Sequence, residues 1–86
     1  MLHISGRVQG VGFRNFVVHH AQERSVTGYV RNLEDGSVEV MLQGQPADVG
    51  SVEAACRTGP ALARVDNFEC YPVDPDIHYE TFVVKH

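Results

Sequence analysis

Tryptophan is absent from the 86 residues of this sequence, and cysteine occurs only at positions 56 and 70. Two cysteines are too few for a disulfide framework and lack the spacing of a metal site, so Cys56 and Cys70 are expected to be reduced thiols packed inside the domain. No apolar run approaches the roughly 20 residues of a membrane span, and the first residues resemble a strand rather than a signal peptide. We therefore expect one domain over residues 1–86, located in the cytoplasm and without a membrane partner.

Positive charge is also scarce. Seven Lys and Arg residues stand against eleven Asp and Glu residues, and the formal net charge is −4. The first 32 residues are the exception, because they contain four arginines and only one glutamate. Without a basic run the chain is not expected to bind DNA or another nucleic acid, but its first third could bind a small anion.

Glycine and proline divide the chain into short elements. Three glycines between positions 6 and 12 predict a loop, and the Asp35-Gly36 pair predicts a hairpin turn. Apolar residues at helical spacing predict one helix before that hairpin, with Phe13, Val17 and Ala21 on one side, and a second helix after it. The predicted strands span residues 2–6, 26–32, 37–43, 63–71 and 79–85, the helices span residues 14–24 and 46–58, and a loop spans residues 72–76.

The resulting order is β-α-β-β-α-β followed by a final strand. This order is typical of the α+β class and of the split βαβ, or ferredoxin-like, sandwich. We expect an antiparallel sheet of four to five strands with two helices on one face, the last strand being short and at an edge. Many functions share this topology, so the fold alone assigns none of them.

The most informative segment is the glycine-rich loop that runs into the first helix. Backbone N–H groups at a helix start carry partial positive charge, and glycines allow consecutive amides to curve around a tetrahedral anion. Arg14, in the first helical turn, could add a two-pronged donor to the same anion. A phosphoryl group is the predicted ligand, and the alternative is a tight structural loop followed by a surface arginine. The P-loop and dinucleotide-binding patterns are both incomplete here, so a nucleotide is not expected.

Three motifs in register closely resemble the acylphosphatase family. They are Gly6-Arg7-Val8-Gln9-Gly10-Val11-Gly12-Phe13-Arg14, then Gly28-Tyr29-Val30-Arg31-Asn32, then Asp35-Gly36-Ser37-Val38. Gly59-Pro60 and Ala63-Arg64-Val65 follow in the family's order, so the resemblance covers almost the whole chain. Ser25 and Leu33 depart from the family, which often has glycine and threonine there, and a positive φ at Ser25 would cost about 1 kcal/mol.

The resemblance implies a hydrolase that splits acyl phosphates into carboxylate and orthophosphate without a metal, a cofactor or a covalent intermediate. It also implies that Arg14 binds the phosphate and that Asn32 orients the attacking water, although an asparagine before a hairpin can simply form the turn. The strand that ends at Asn32 is expected to neighbour the loop. The residues that the resemblance assigns to phosphate binding are Gln9, Gly10, Val11, Gly12, Phe13 and Arg14.

The five histidines do not indicate a base or a metal site. His19 and His20 are adjacent in the predicted helix and so face different directions, whereas His3, His78 and His86 fall in separate elements. We therefore expect no metal, and we expect the protein to be a monomer that acts on a small acyl phosphate.

Two other functions remain open at the level of the sequence. Domains similar to acylphosphatases also begin large carbamoyl-phosphate-using hydrogenase maturation proteins, which would make this chain an accessory or phosphate-binding module. A common RNA-binding module has the same element order, but residues 37–43 lack its aromatic motif.

Overall fold

A computed structural model describes residues 1–74 and 76–86 of the chain. The predicted loop 72–76 therefore lies partly outside the described residues, at Pro75. The described residues form two helices and five strands in the predicted order. The elements are β1 (Leu2–Arg7), α1 (Phe13–Glu23), β2 (Thr27–Asn32), β3 (Val38–Gln43), α2 (Pro46–Thr58), β4 (Arg64–Cys70) and β5 (Phe82–Val84).

The five strands form one sheet in the order β4-β1-β3-β2-β5. The four longer strands pair antiparallel, whereas β5 pairs parallel with β2, so the sheet is mixed. The ferredoxin-like α+β fold and the short edge position of the last strand are confirmed. The last strand is shorter than residues 79–85, because Tyr79 is held by the side chain of Gln43 at 2.8 Å and pairing beside β2 is confined to Phe82–Val84.

The core lies between the sheet and the two helices. The predicted stripe of Phe13, Val17 and Ala21 on α1 is buried completely or nearly so, and Val52 and Cys56 bury the matching side of α2. Alternate residues of the strands face these helices, as a period of two requires. The buried strand residues of this layer are Leu2, Ile4, Val30, Val38, Val40, Leu42 and Phe82.

Two backbone positions have the conformations that close packing or chain reversal demands. Gly28 has a φ of +136°, and a Cβ atom there would lie 2.0 Å from the carbonyl oxygen of Met41 on the paired strand. Ser25 has a φ of 55° just after α1. This positive φ agrees with the expectation drawn from the glycine that the resembled family often has at this position. The chain accepts the left-handed conformation there without a glycine.

The two cysteines differ in environment. Cys56 is a buried free thiol, and burial raises its pKa to about 12. Cys70 is also free but exposed, so the prediction of a packed thiol is wrong for this residue. Cys70 lies at the end of β4, where its Sγ is 3.9 Å from a carboxylate oxygen of Glu53 on α2 but the helix does not bury it. Neither described helix is long and apolar enough to cross a membrane.

Candidate active site

A cavity of about 330 Å³ opens where the β1–α1 loop meets the end of β2. Five of the predicted site residues line it, including Arg14 and Asn32, whereas Gln9 and Val11 do not. Val8, Asn15, Val84 and His86 also line it and were not singled out from the sequence. The five predicted residues in the lining are Gly10, Gly12, Phe13, Arg14 and Asn32.

The β1–α1 loop is fixed by its apolar side chains and leaves its amides free of backbone partners. Val8 and Val11 are buried in the core on either side of Gly10. Gly10 and Gly12 have φ values of +72° and +79°, and a Cβ atom at either would meet nothing within 4 Å. Within residues 1–74 and 76–86, no backbone N–H of residues 9–12 donates to a backbone carbonyl. These N–H groups are therefore available to an anion.

Helix α1 adds its amino terminus to the same place. Gly12 is the N-cap residue, and its carbonyl accepts the first helical hydrogen bond from the Phe16 N–H at 3.1 Å. The first turn contains no acidic side chain, so the partial positive charge of the helix end is not neutralised by its own sequence. Arg14 is half-buried in this turn and forms no ion pair with any described carboxylate. The cavity thus combines main-chain donors with one unpaired guanidinium.

Asn32 faces this cavity from the end of β2. Its Oδ1 atom is the buried side-chain oxygen without a hydrogen-bond partner among the described residues. A buried acceptor left unsatisfied costs about 1–3 kcal/mol, so such an atom usually has a water or ligand donor beside it. The carboxamide oxygen is placed to accept a hydrogen bond from a molecule in the cavity.

The loop reaches Asn32 by a route that the sequence did not predict. Strand β2 does not pair with β1, because β3 lies between them in the sheet. Instead, the Gln9 side chain crosses to the β2–β3 turn, where its Nε2 donates to the carbonyl of Leu33 at 2.8 Å and of Ser37 at 2.9 Å. The loop and the end of β2 do come together, as expected, but a side-chain contact joins them and not a pairing of neighbouring strands.

Strand β5 supplies the remaining wall. Its parallel pairing places Val84 beside Val30, and the next residue continues the contact when the Lys85 N–H donates to the Val30 carbonyl at 2.9 Å. Val84 and His86 consequently line the cavity beside Asn32. No local signal marks these two residues, because their placement depends on a pairing between segments more than 50 residues apart in the sequence.

Two clusters of polar and charged side chains lie outside the cavity lining. Arg31 Nε donates to Glu39 Oε2 at 2.7 Å, and Tyr29 Oη donates to the same oxygen at 2.9 Å. His3 Nε2 lies 2.8 Å from Ser37 Oγ, and His3 Nδ1 lies 3.6 Å from a Glu69 oxygen. Among the described residues, no group of three or more His, Cys, Asp or Glu is arranged to hold a metal ion.

Comparison with known protein sequences identifies the acylphosphatase family. The acylphosphatase family model matches residues 1–84. An acylphosphatase of Anaeromyxobacter dehalogenans is 47% identical over 72 residues, which cover 84% of this chain and 77% of that protein. An acylphosphatase of Nitrobacter hamburgensis is 50% identical over 70 residues, covering 81% of this chain and 71% of that protein.

Solved structures agree with these sequence relatives. The acylphosphatase from Bacillus subtilis superposes with a TM-score of 0.87 at 30% identity, covering 99% of this chain and 94% of that one. HypF from T. kodakarensis superposes with a TM-score of 0.85 at 36% identity, covering 98% of this chain but only 11% of HypF.

Proposed function

This chain belongs to the acylphosphatase family, and we propose that the cavity formed by the β1–α1 loop, Asn32 and β5 is where it hydrolyses its substrate. The protein is a hydrolase that acts on small acyl phosphates. The observation that carries the assignment of the site is the convergence of Arg14, unpartnered loop amides and the unpartnered Asn32 oxygen on one cavity.

The phosphate would be bound by the loop and the helix end. The free N–H groups of residues 9–12 suit an anion, and the helix amino terminus adds about half a positive charge. The Arg14 guanidinium can donate two parallel hydrogen bonds to phosphoryl oxygens, and it has no described carboxylate to compete for it. Rigid donors of this kind stabilise charge on the peripheral phosphoryl oxygens, where a loose transition state holds it.

Asn32 would orient the attacking water. Its Oδ1 accepts a hydrogen bond from that water, while a water oxygen forms the new bond to phosphorus. The bond between phosphorus and the acyl oxygen breaks, its electron pair leaves on the carboxylate, and one water proton passes to solvent or to the phosphate product. A carboxylate has a low proton affinity, with an ordinary pKa near 4, so it departs without a general acid. Alignment of the water is then the main requirement, and a neutral carboxamide can meet it.

Substitution of Arg14 and Asn32 tests this assignment. Arg14→Ala should lower kcat/KM at least about 10³-fold with an aromatic acyl phosphate and weaken inhibition by orthophosphate, because it removes the charged donor. Asn32→Ala should lower kcat about 10²-fold and change the inhibition constant of orthophosphate less than about threefold, because the water and not the phosphate loses its partner.

Two matched variants serve as controls. Arg24→Ala and Asn67→Ala remove the same side chains at exposed positions that do not line the cavity, and both should retain the normal rate. An Arg14→Ala protein with near-normal turnover would refute the site. Multiple turnovers with release of orthophosphate would also separate hydrolysis from the binding-module alternative that the likeness to HypF suggests.

We also propose that the protein works as a cytoplasmic monomer. Arg14, Asn32 and the glycines of the loop, which carry the proposed chemistry, all line the cavity of one chain. The two free thiols suit a reducing compartment. Sedimentation equilibrium at assay concentrations should give the mass of one chain, and a dimer mass would overturn the monomer.

A further inference from the structure

We propose that the side chain of Gln9 is a positioning residue for hydrolysis, which holds the phosphate-binding loop at a fixed distance from Asn32. The inference rests on the proposed function of the cavity. It assigns to the Gln9 carboxamide a role separate from that of its backbone N–H, because the side chain is directed away from the cavity and towards the β2–β3 turn.

The Gln9 carboxamide donates two hydrogen bonds to the β2–β3 turn. Its Nε2 group has two hydrogens, and both are used, one on the Leu33 carbonyl at 2.8 Å and one on the Ser37 carbonyl at 2.9 Å. Both partners are acceptors, so only the amide nitrogen and not the amide oxygen can face them. The contact is partly buried, and Gln9 is the second donor to each carbonyl, since each also accepts one backbone hydrogen bond within the turn.

This side chain replaces a connection that the backbone does not make. Strands β1 and β2 are separated by β3, and within the described part of the chain no backbone hydrogen bond joins residues 8–12 to residues 32–37. The phosphate-binding half of the site and the water-orienting half are therefore linked by polar contact through Gln9. Val8 and Val11 anchor the loop in the core, but the glycines at positions 10 and 12 allow its backbone to adjust, so we infer that Gln9 sets the distance between the loop and the turn.

The turn that receives Gln9 is itself well fixed. The Leu33 N–H donates to the Ser37 carbonyl at 2.9 Å, and the Gly36 N–H donates to the Leu33 carbonyl at 3.2 Å. Ser37 is 2% exposed, and its hydroxyl is also bonded to Asp35 and His3. Asn32 directly precedes Leu33, so the Gln9 contact lies one residue from the carboxamide that would orient water.

A double-mutant cycle with Asn32 tests the proposal. Gln9→Met keeps the length of the side chain but removes both donors, and a displacement of about 1 Å between reacting groups can lower a rate up to about 10²-fold. We expect Gln9→Met to lower kcat about 10- to 100-fold while the inhibition constant of orthophosphate changes less than about threefold. In the Asn32→Ala background the same substitution should cause no further loss of kcat, because the group it positions is gone.

Gln43→Met is the matched control. Gln43 also bonds across the chain to backbone groups of Ile77 and Tyr79, but it lies outside the lining of the cavity. It should lower thermal stability about as much as Gln9→Met does and leave kcat unchanged. The comparison of the two variants separates a general loss of stability from a loss of alignment between the phosphate-binding loop and Asn32.

Gln9→Glu supplies a second, independent measurement. A carboxylate cannot donate to the two carbonyls, whereas the protonated acid can donate to one of them. The rate of this variant relative to the unmodified protein should therefore rise as the pH falls through the pKa of the new carboxyl group. Recovery of kcat at low pH, with an inhibition constant of orthophosphate that follows that of the unmodified protein, would show that the donor and not the volume or charge of the side chain sets the rate.

Several outcomes would overturn the inference. They are an unchanged kcat in Gln9→Met, equal losses in the presence and absence of the Asn32 side chain, or a loss confined to phosphate affinity. If Gln9→Met does not fold, Gln9→Glu becomes the test. A rate of Gln9→Glu, relative to the unmodified protein, that does not change with pH would then overturn the proposal. An unchanged kcat in Asn32→Ala alone would instead refute the proposed function, and this inference with it.

Discussion

The hydroxyl group of Tyr29 donates a 2.9 Å hydrogen bond to the carboxylate of Glu39 on the neighbouring strand. Tyr29 alternates with the buried Val30, so this contact lies on the face of the sheet opposite the helices. Burial and then the Glu39 hydrogen bond raise the pKa of Tyr29 to about 12, well above its ordinary value of 10. The fold is therefore coupled to the protonated form of this phenol.

The first prediction concerns stability at alkaline pH. A raised pKa means that the folded state retains a proton that the unfolded state loses, so the contribution is complete below pH 10 and is lost between pH 10 and about 12. Tyr29→Phe should flatten the fall of the free energy of unfolding in that window, measured by urea denaturation at pH 8, 10 and 11. Cys56 contributes with the same sign, so part of the fall should remain.

Tyr71→Phe is the control for that series. Tyr71 also bonds to a glutamate, Glu69 at 2.6 Å, but it is exposed to solvent, which screens the contact. Its pH dependence should match that of the unmodified protein. If Tyr29→Phe showed the same profile as Tyr71→Phe, the coupling between Tyr29 and Glu39 would be disproved.

The second prediction concerns the reactivity of the two thiols. The Cys56 thiol is buried and its raised pKa keeps it protonated, whereas the Cys70 thiol is exposed. Alkylation at pH 8 should therefore modify the native protein once, at Cys70, and the denatured protein twice. Peptide mass spectrometry identifies the modified residue, and Cys70→Ser should abolish labelling of the native state. Modification of Cys56 in the native protein at a comparable rate would contradict the burial of this side chain.

The third prediction concerns glycine in the sheet. Gly28→Ala should lower the free energy of unfolding by at least about 2 kcal/mol, because alanine is strained at a φ of +136° and its Cβ would meet the Met41 carbonyl. Gly50→Ala, in the interior of α2 with open space around it, should instead raise that free energy by about 0.5–1 kcal/mol. Urea denaturation should therefore give changes of opposite sign in the free energy of unfolding for the two glycine-to-alanine substitutions. Two losses of equal size would contradict the explanation by local backbone conformation.

The fourth prediction concerns the residue that follows α1. Ser25→Gly should stabilise the protein by about 0.5–1 kcal/mol, because glycine adopts the observed φ of 55° without the penalty of a Cβ atom. Ser25→Ala keeps that penalty and removes only an exposed hydroxyl, so its melting temperature should remain close to normal. Stabilisation by both substitutions would assign the effect to the hydroxyl group instead.

Most of the fold could be predicted from local patterns of apolar and turn-forming residues in the sequence. The α1 stripe, the Asp35-Gly36 turn and the end of α2 at Gly59 each depend on residues close together in the sequence, and each is found in the structure. The positive φ at Ser25 was also predictable, because the family that the sequence resembles often has glycine at that position. The exposure of Cys70 was not, since it depends on how far α2 covers the end of β4.

The candidate site was predicted less completely, and for a similar reason. Arg14 and the loop glycines belong to one short motif, so the sequence groups them. The Gln9 side chain, by contrast, meets carbonyls 24 and 28 residues away, and His86 reaches the cavity only through the parallel pairing of β5. Contacts of this kind have no periodic signature in the sequence.

The parallel edge strand has a consequence for how the enzyme is inactivated by heat. Strand β5 is three residues long and pairs within the described structure with β2 alone, yet Val84 and the following His86 form one wall of the cavity. Short edge elements fray at a lower free-energy cost than the rest of a domain. Fraying of β5 would remove this wall, so activity should disappear on warming before the helices melt.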